Sequence, residues 1–271
     1  MNPPKCDKPK SCKTEGMEKT TGAKTLERGL DLLDHVAAGT NKLDEIAMAS
    51  GLSRSSTHRM LTSLVAARYL SLGPDNRYRL GLKLMELGAQ TQRSLNLPEE
   101  IQTRLAEIAV ATRDTTHLGI LEAEDVLYLA KARGSRGIEM ASRPGGRLRA
   151  QNTAMGKMIL SLRPRSEALT YFDPTATITD YSIKTVEDFD RELTLVRERG
   201  YSLDNQENEL GIICVAIPIP DLSGQPVASI SVSAPSVYMT EERIADLVAL
   251  LNSHAPQITS CLPPGFKDSW E

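Results

Sequence analysis

The sequence predicts an α+β protein built in two parts, and three observations carry that expectation. The first third of the chain holds three short amphipathic segments, then two alternating runs around a turn. After Pro98, helical and alternating patterns interleave, and three strand-like runs follow one another towards the C-terminus. Charge divides at the same place. Residues 1–96 carry 15 Lys/Arg against 10 Asp/Glu, a net of +5, and residues 97–271 carry 17 against 25, a net of −8. A basic part joined to an acidic one suggests that only the first approaches a polyanion.

The bulk numbers set the class. A chain of 271 residues is long for one domain and comfortable for two. Aromatics make up only 4% of it, so the cores should be built from Leu, Ile, Val, Ala and Met. Cys6, Cys12, Cys214 and Cys261 form no CxxC pair, which argues against a disulfide framework or a zinc site. No metal or cofactor is expected. Residues 1–23 are rich in Lys, Thr and Pro without an apolar core, and read as a disordered basic tail rather than a signal peptide. No run of apolar residues is long enough to span a bilayer, so the expectation is a cytoplasmic protein with no membrane partner.

The elements follow in order. Leu26, Leu30, Leu33 and Val36 recur at helical spacing and Gly39 ends the pattern. Leu43, Ile46 and Ala47 begin a shorter helix with Asp44 and Glu45 in its first turn. Gly51-Leu52 breaks it, and Ser53 is a good N-cap for a third helix, lined on one side by Thr57, Met60, Leu61, Leu64 and Val65. Tyr69–Leu72 and Arg77–Leu80 flank the turn-forming run Gly73-Pro74-Asp75-Asn76, so they form a hairpin. Three helices and a hairpin make a winged helix-turn-helix over 24–82. Leu82 to Ser94 continues as a helix, and residues 83–97 read as a linker helix, with a fourth helix of the first domain as the alternative.

The third helix opens with "SRSSTHR", and no acidic residue occurs from Ser50 to Pro74. Recognition helices place their N-terminal residues against base edges and phosphates. Short hydroxyls permit close approach, and arginine is the common bidentate reader of guanine. Arg54, Ser55, Ser56, His58 and Arg59, with Arg77 from the wing, are therefore candidate contacts to double-stranded DNA.

The second part, 98–271, reads as a central antiparallel sheet with helices. Ile101–Thr112 is amphipathic; His117–Glu122 and Val126–Lys131 make a hairpin; Ile138–Ala141 is a further strand. "RPGGR" at 143–147 is taken as a loop. Helices are expected over 153–162, 186–200 and 240–261, and strands over 201–206, 213–219 and 227–234. No catalytic or phosphate-binding motif is present. Ser229, Ser231 and Ser233 alternate on one strand and share a face. With Asp204 and Cys214 nearby, that face is either the wall of a polar pocket or a solvated surface. Cys214 is alternatively a nucleophile or a metal ligand, with Asp204 and His117 as its partners, or simply a buried structural thiol. An enzyme using this cysteine, and a winged helix that binds only proteins, are the competing function classes.

"GLSRSSTHRMLTSL", "NTAMGKMIL" and "GYSLDNQENELGIICVAIPIPDLSGQPVASISVSAP" together resemble the IclR family of bacterial transcriptional regulators, over roughly residues 24–262. The resemblance implies a winged helix-turn-helix, a linker helix and a GAF-like effector-binding domain. It also implies a homodimer or dimer of dimers on a pseudo-palindromic operator, responsive to a small-molecule effector. Carried over by position, the effector would lie against Ala154-Met155-Gly156 and meet Asp204, Cys214, Ser231 and Ser233, between the apolar walls Met140, Leu148 and Ile212. That polar set favours a small organic acid. Two positions depart from the family pattern: Thr57 replaces a usual Val or Ile, and Thr153 replaces a frequent Ser.

Overall fold

The computed structural model describes residues 23–95, 97–137, 140, 142–262 and 266. The chain forms two compact units, Met1–Ser94 and Leu95–Glu271, each considered by itself. Apart from residue 23, the expected N-terminal tail lies outside the described residues.

In the first unit, helices α1 (Lys24–Ala37), α2 (Leu43–Ser50) and α3 (Arg54–Ala66) precede strands β1 (Leu70–Leu72) and β2 (Tyr78–Leu80), and α4 (Leu82–Leu95) follows. Gly51 turns the chain between α2 and α3 at φ +67°, a conformation that disfavours a side chain. Ser53 then caps α3 by accepting the Ser56 amide at 3.3 Å. The strands pair antiparallel in the register Leu70 with Leu80 and Leu72 with Tyr78. Leu32, Val36, Ile46, Leu61, Leu70 and Tyr78 make the core. The apolar stripe expected on α1 is only partly internal: Val36 is buried and Leu33 half-buried, whereas Leu26 and Leu30 are exposed, as are Leu82 and Met85 of α4. Leu32, off the expected stripe, takes the inner position because α2 and α3 pack to that side.

The second unit contains α5 (Glu99–Thr112), β3 (Thr115–Glu122), β4 (Asp125–Ala132), β5 (Arg147–Arg149), α6 (Ala154–Ser161), α7 (Arg165–Ala168), α8 (Val186–Arg199), β6 (Ser202–Asn205), β7 (Ile212–Pro220), β8 (Pro226–Pro235) and α9 (Glu241–Cys261). Six strands form one antiparallel sheet in the order β5-β4-β3-β8-β7-β6. One face carries Ile230, Val232, Val215 and Ile217 against Ile101, Leu105 and Ile108 of α5 and Leu247, Leu251 and Ile258 of α9. The opposite face packs on α6 and α8 through Val126, Tyr128, Ala216, Met155, Met158, Phe189 and Leu193. Alternation on the strands thus serves two separate cores, as the period of two requires.

Three details differ from the sequence reading. The loop at 143–147 ends one residue early, because Arg147 already pairs with Leu127 in β5, a strand too short to show a period. Of the strand expected at 138–141, positions 138, 139 and 141 lie outside the described residues, and Met140 belongs to no strand. The register of β3 on β4 also shifts between Leu118 and Gly119, so that Tyr128 and Lys131 both come to the α6 side, with Lys131 opposite His117.

Candidate functional site

The DNA-facing candidates occupy the leading edge of α3. Arg54, Ser55, His58 and Arg59 are exposed and Ser56 is half-exposed. Thr57 is fully buried, and its hydroxyl donates to the Ser53 carbonyl at 3.1 Å, so the polar atom is satisfied and the methyl packs inward. The acid-free run in the sequence is not acid-free in space. Asp44 of α2 accepts from Arg54 Nε at 2.5 Å. In the wing, Asp75 accepts from Arg79 at 2.7 Å, and Arg77 donates to Asn41 at 2.8 Å. These partners, ten or more residues away for Arg54 and Arg77, were invisible to a linear reading. Among the described residues, no ion pair is recorded for Arg59.

The second candidate is a cavity on the α6 face of the sheet. Register lays its polar groups out in rows. Asp204, Cys214, Ser233 and Thr115 stand side by side across β6, β7, β8 and β3. One row along, Ser202, Ala216, Ser231, His117 and Lys131 repeat the arrangement out to β4. The start of α6 closes over the rows. Ser202 donates to the Ala154 carbonyl, and Thr153 caps the helix by accepting the Gly156 amide at 3.0 Å. Gly156 is needed there, since a Cβ would stand 2.2 Å from the Ala150 carbonyl oxygen. The Lys157 amide is bound by Thr153. The Ala154 and Met155 amides are then the uncommitted donors of the helix start among the described residues.

All nine residues expected at the effector site, Met140, Leu148, Ala154, Met155, Asp204, Ile212, Cys214, Ser231 and Ser233, line this small cavity of about 40 Å³. Ser229 shares their face but is withdrawn, its hydroxyl donating to the Ile217 carbonyl at 2.7 Å. The walls also include Tyr128, Ser142, Thr153, Asn208 and Glu209, which the sequence did not place there, and His117, which it offered only as a possible partner of Cys214. His117 Nε2 meets Ser142 Oγ at 2.8 Å, and the imidazole and Tyr128 rings pack edge to face at 5.2 Å. Alternation along β3 was the available signal for His117, while the register shift against β4 hid Tyr128.

The electrostatics are those of a buried polar end. Burial, reinforced by the Glu207 carboxylate, pushes Asp204 up to about 7, against the pull of Lys157 and the amides of Glu207 and Asn208 that its Oδ1 accepts. Burial and the Asp204 charge also hold the Cys214 thiol well above its ordinary value, so it is protonated and a poor nucleophile. Burial drives His117 down to about 3, with Lys131 adding to the effect, and the imidazole is neutral at physiological pH. Lys157 of α6, whose charge acts on Asp204, is buried with Glu207 as its partner and Glu192 at 3.6 Å, and Arg199 joins Glu192 at 2.9 Å. Among the described residues no cluster of His, Cys, Asp and Glu is placed to hold a metal ion. No described helix is long and apolar enough to cross a membrane.

Comparisons with known proteins bear on both sites. The family model for the IclR helix-turn-helix domain matches residues 25–72, and that for the bacterial transcriptional regulator IclR C-terminal domain matches 89–260. The chain is 32% identical over 229 residues to the HTH-type transcriptional regulator KdgR of Escherichia coli, covering 83% of this chain and 86% of that protein. It superposes on the crystal structure of Thermotoga maritima IclR with a TM-score of 0.71 at 32% identity, covering 89% of this chain and 99% of that one. An IclR homologue from Microbacterium hydrocarbonoxydans, complexed with 4-hydroxybenzoate, shares the fold with a TM-score of 0.74 at 24% identity, over 88% of this chain and 99% of that one. The chain belongs to the IclR family of bacterial transcriptional regulators, DNA-binding proteins and not enzymes, with a helix-turn-helix unit and an effector-binding C-terminal domain.

Proposed function

We propose that this regulator's hold on its operator is modulated by a small organic acid bound in the cavity between α6 and the sheet. The row Asp204–Cys214–Ser233 beneath the Ala154 and Met155 amides carries this reading. A helix start with free amides attracts a carboxylate. Ser231 and Ser233 supply hydroxyls that donate to its oxygens, and a protonated Asp204 does the same where an ionised one would repel. Met140, Leu148 and Ile212 exclude water and fit a short carbon skeleton. Arg54, Ser55, Ser56, His58, Arg59 and Arg77 contact the duplex, and acid binding biases the spacing of paired recognition helices. The exposed Leu26, Leu30, Leu82 and Met85 suit a homodimer or dimer of dimers on a pseudo-palindromic operator in the cytoplasm. Helix α4, which falls in the linker expected over 83–97, serves as the linker helix.

The test is a thermal-shift screen of the full chain against acids of two to eight carbons, aromatic acids included. A ligand at 100 times its Kd stabilises by about 2.7 kcal/mol, which a melting curve resolves. Stabilisation by short acids supports the reading. A shift with neutral or large apolar compounds alone refutes it.

A further inference from the structure

We propose that Asp44 is a specificity-determining residue of the DNA surface, positioning Arg54 so that its two terminal amines are left to read a base edge. Asp44 lies in the first turn of α2 and Arg54 is the first residue of α3, on the other side of the Gly51 turn. Their contact runs through Arg54 Nε, and the side chains are 69% and 74% exposed for Arg54 and Asp44. An exposed pair of this kind contributes little to folding. On a surface that meets a polyanion, a bare carboxylate is also a liability, because it repels phosphate. The carboxylate therefore acts through the arginine it holds.

The geometry makes that action specific. With Nε engaged, Nη1 and Nη2 remain free at the far end of the guanidinium, the pair that makes two parallel bonds to O6 and N7 of guanine. Fixing the stem reduces the freedom lost on binding that edge. Held at Nε, Arg54 is less free to swing towards a phosphate, and were it to leave Asp44 the freed carboxylate would face the backbone. Asp44 thus rewards the right base and penalises unspecific contact. Arg59, for which no acidic partner is recorded among the described residues, carries no such filter and suits phosphate at any sequence.

The test compares Asp44→Asn, Asp44→Ala and Arg54→Ala with Glu45→Gln, a control that removes one charge from the same helical turn, where Glu45 pairs with Lys42. A duplex enriched from a random pool by the wild-type chain and a scrambled duplex are titrated with each variant at several salt concentrations. Both Asp44 variants should bind the scrambled duplex several-fold more tightly and lose about tenfold in discrimination, while Glu45→Gln moves both affinities by one common factor. Re-selection with Asp44→Asn should relax one guanine position, the same one that Arg54→Ala relaxes. Equal changes on both duplexes, indistinguishable from Glu45→Gln, would overturn the proposal and leave Asp44 as a net-charge effect. A wild-type chain that enriches no duplex would overturn the DNA-binding assignment instead.

Discussion

Replacing Lys157 by Met tests whether a buried charge pair holds α6 to the segment that follows β6. Lys157 has a side chain 1% exposed and Glu207 one 7% exposed, and they bond to each other. Methionine keeps most of the volume and removes the ammonium, which leaves Glu207 with the Asn205 amide at 3.3 Å and no partner on Oε2 among the described residues. Removing one member of a buried pair costs about 3–5 kcal/mol, because the remaining charge stays desolvated. Glu192 retains Arg199, so the lower end, about 3 kcal/mol, is expected. For a unit of this size that is a fall in melting temperature of roughly 6–12 °C. The sign with pH follows from Glu207, whose carboxyl is already raised by burial against the lowering influence of Lys157. Without Lys157 it rises further, so acid protonates it and removes the unpaired charge. The variant should approach wild type as pH falls and depart from it as pH rises. Calorimetric unfolding of the full chain at pH 5 and 8 measures this, and Lys157→Met with Glu207→Gln should recover much of the loss. A deficit under about 1 kcal/mol, or one independent of pH, would refute the reasoning.

Three further outcomes are expected. Acid binding should weaken as pH rises through about 7, where Asp204 ionises, by up to about tenfold per unit, and Asp204→Asn should bind with a flat profile; titration calorimetry between pH 6 and 8.5 decides it. Gly156→Ala should cost about 1–3 kcal/mol, since its Cβ meets backbone at Ala150 rather than a flexible side chain, and an unchanged melting temperature would contradict the close approach. Arg59→Ala should weaken binding to all duplexes alike and reduce the salt slope by about one, whereas a loss confined to one sequence would make it a base reader.

Much of this architecture was legible in the chain because it is written in local signals. Ser53 before an apolar stripe, Gly51 between two helices, and the alternation of Ser229, Ser231 and Ser233 each have a short-range cause. What escaped was set by pairing across distance. The carboxylate beside Arg54 comes from α2, and the three alternating serines diverge because Ser229 finds the Ile217 carbonyl on the next strand. Lys157 lies in the helix expected over 153–162 with nothing local to mark it, yet it is buried because Glu207 arrives fifty residues later to meet it. Linear spacing reports the face a side chain takes, while the partner that decides its chemistry is a property of the fold.

The central claim is that one cavity couples a small acid to DNA binding. Its most direct test is calorimetric titration of short carboxylic acids into the full chain, wild type and Ser231→Ala/Ser233→Ala, alongside the affinity of each for the enriched duplex with and without acid. The account predicts an acid that binds the wild type, changes its DNA affinity, and loses at least about tenfold in binding when both hydroxyls are removed. An acid that shifts DNA affinity equally in both proteins would place the effector elsewhere and contradict it.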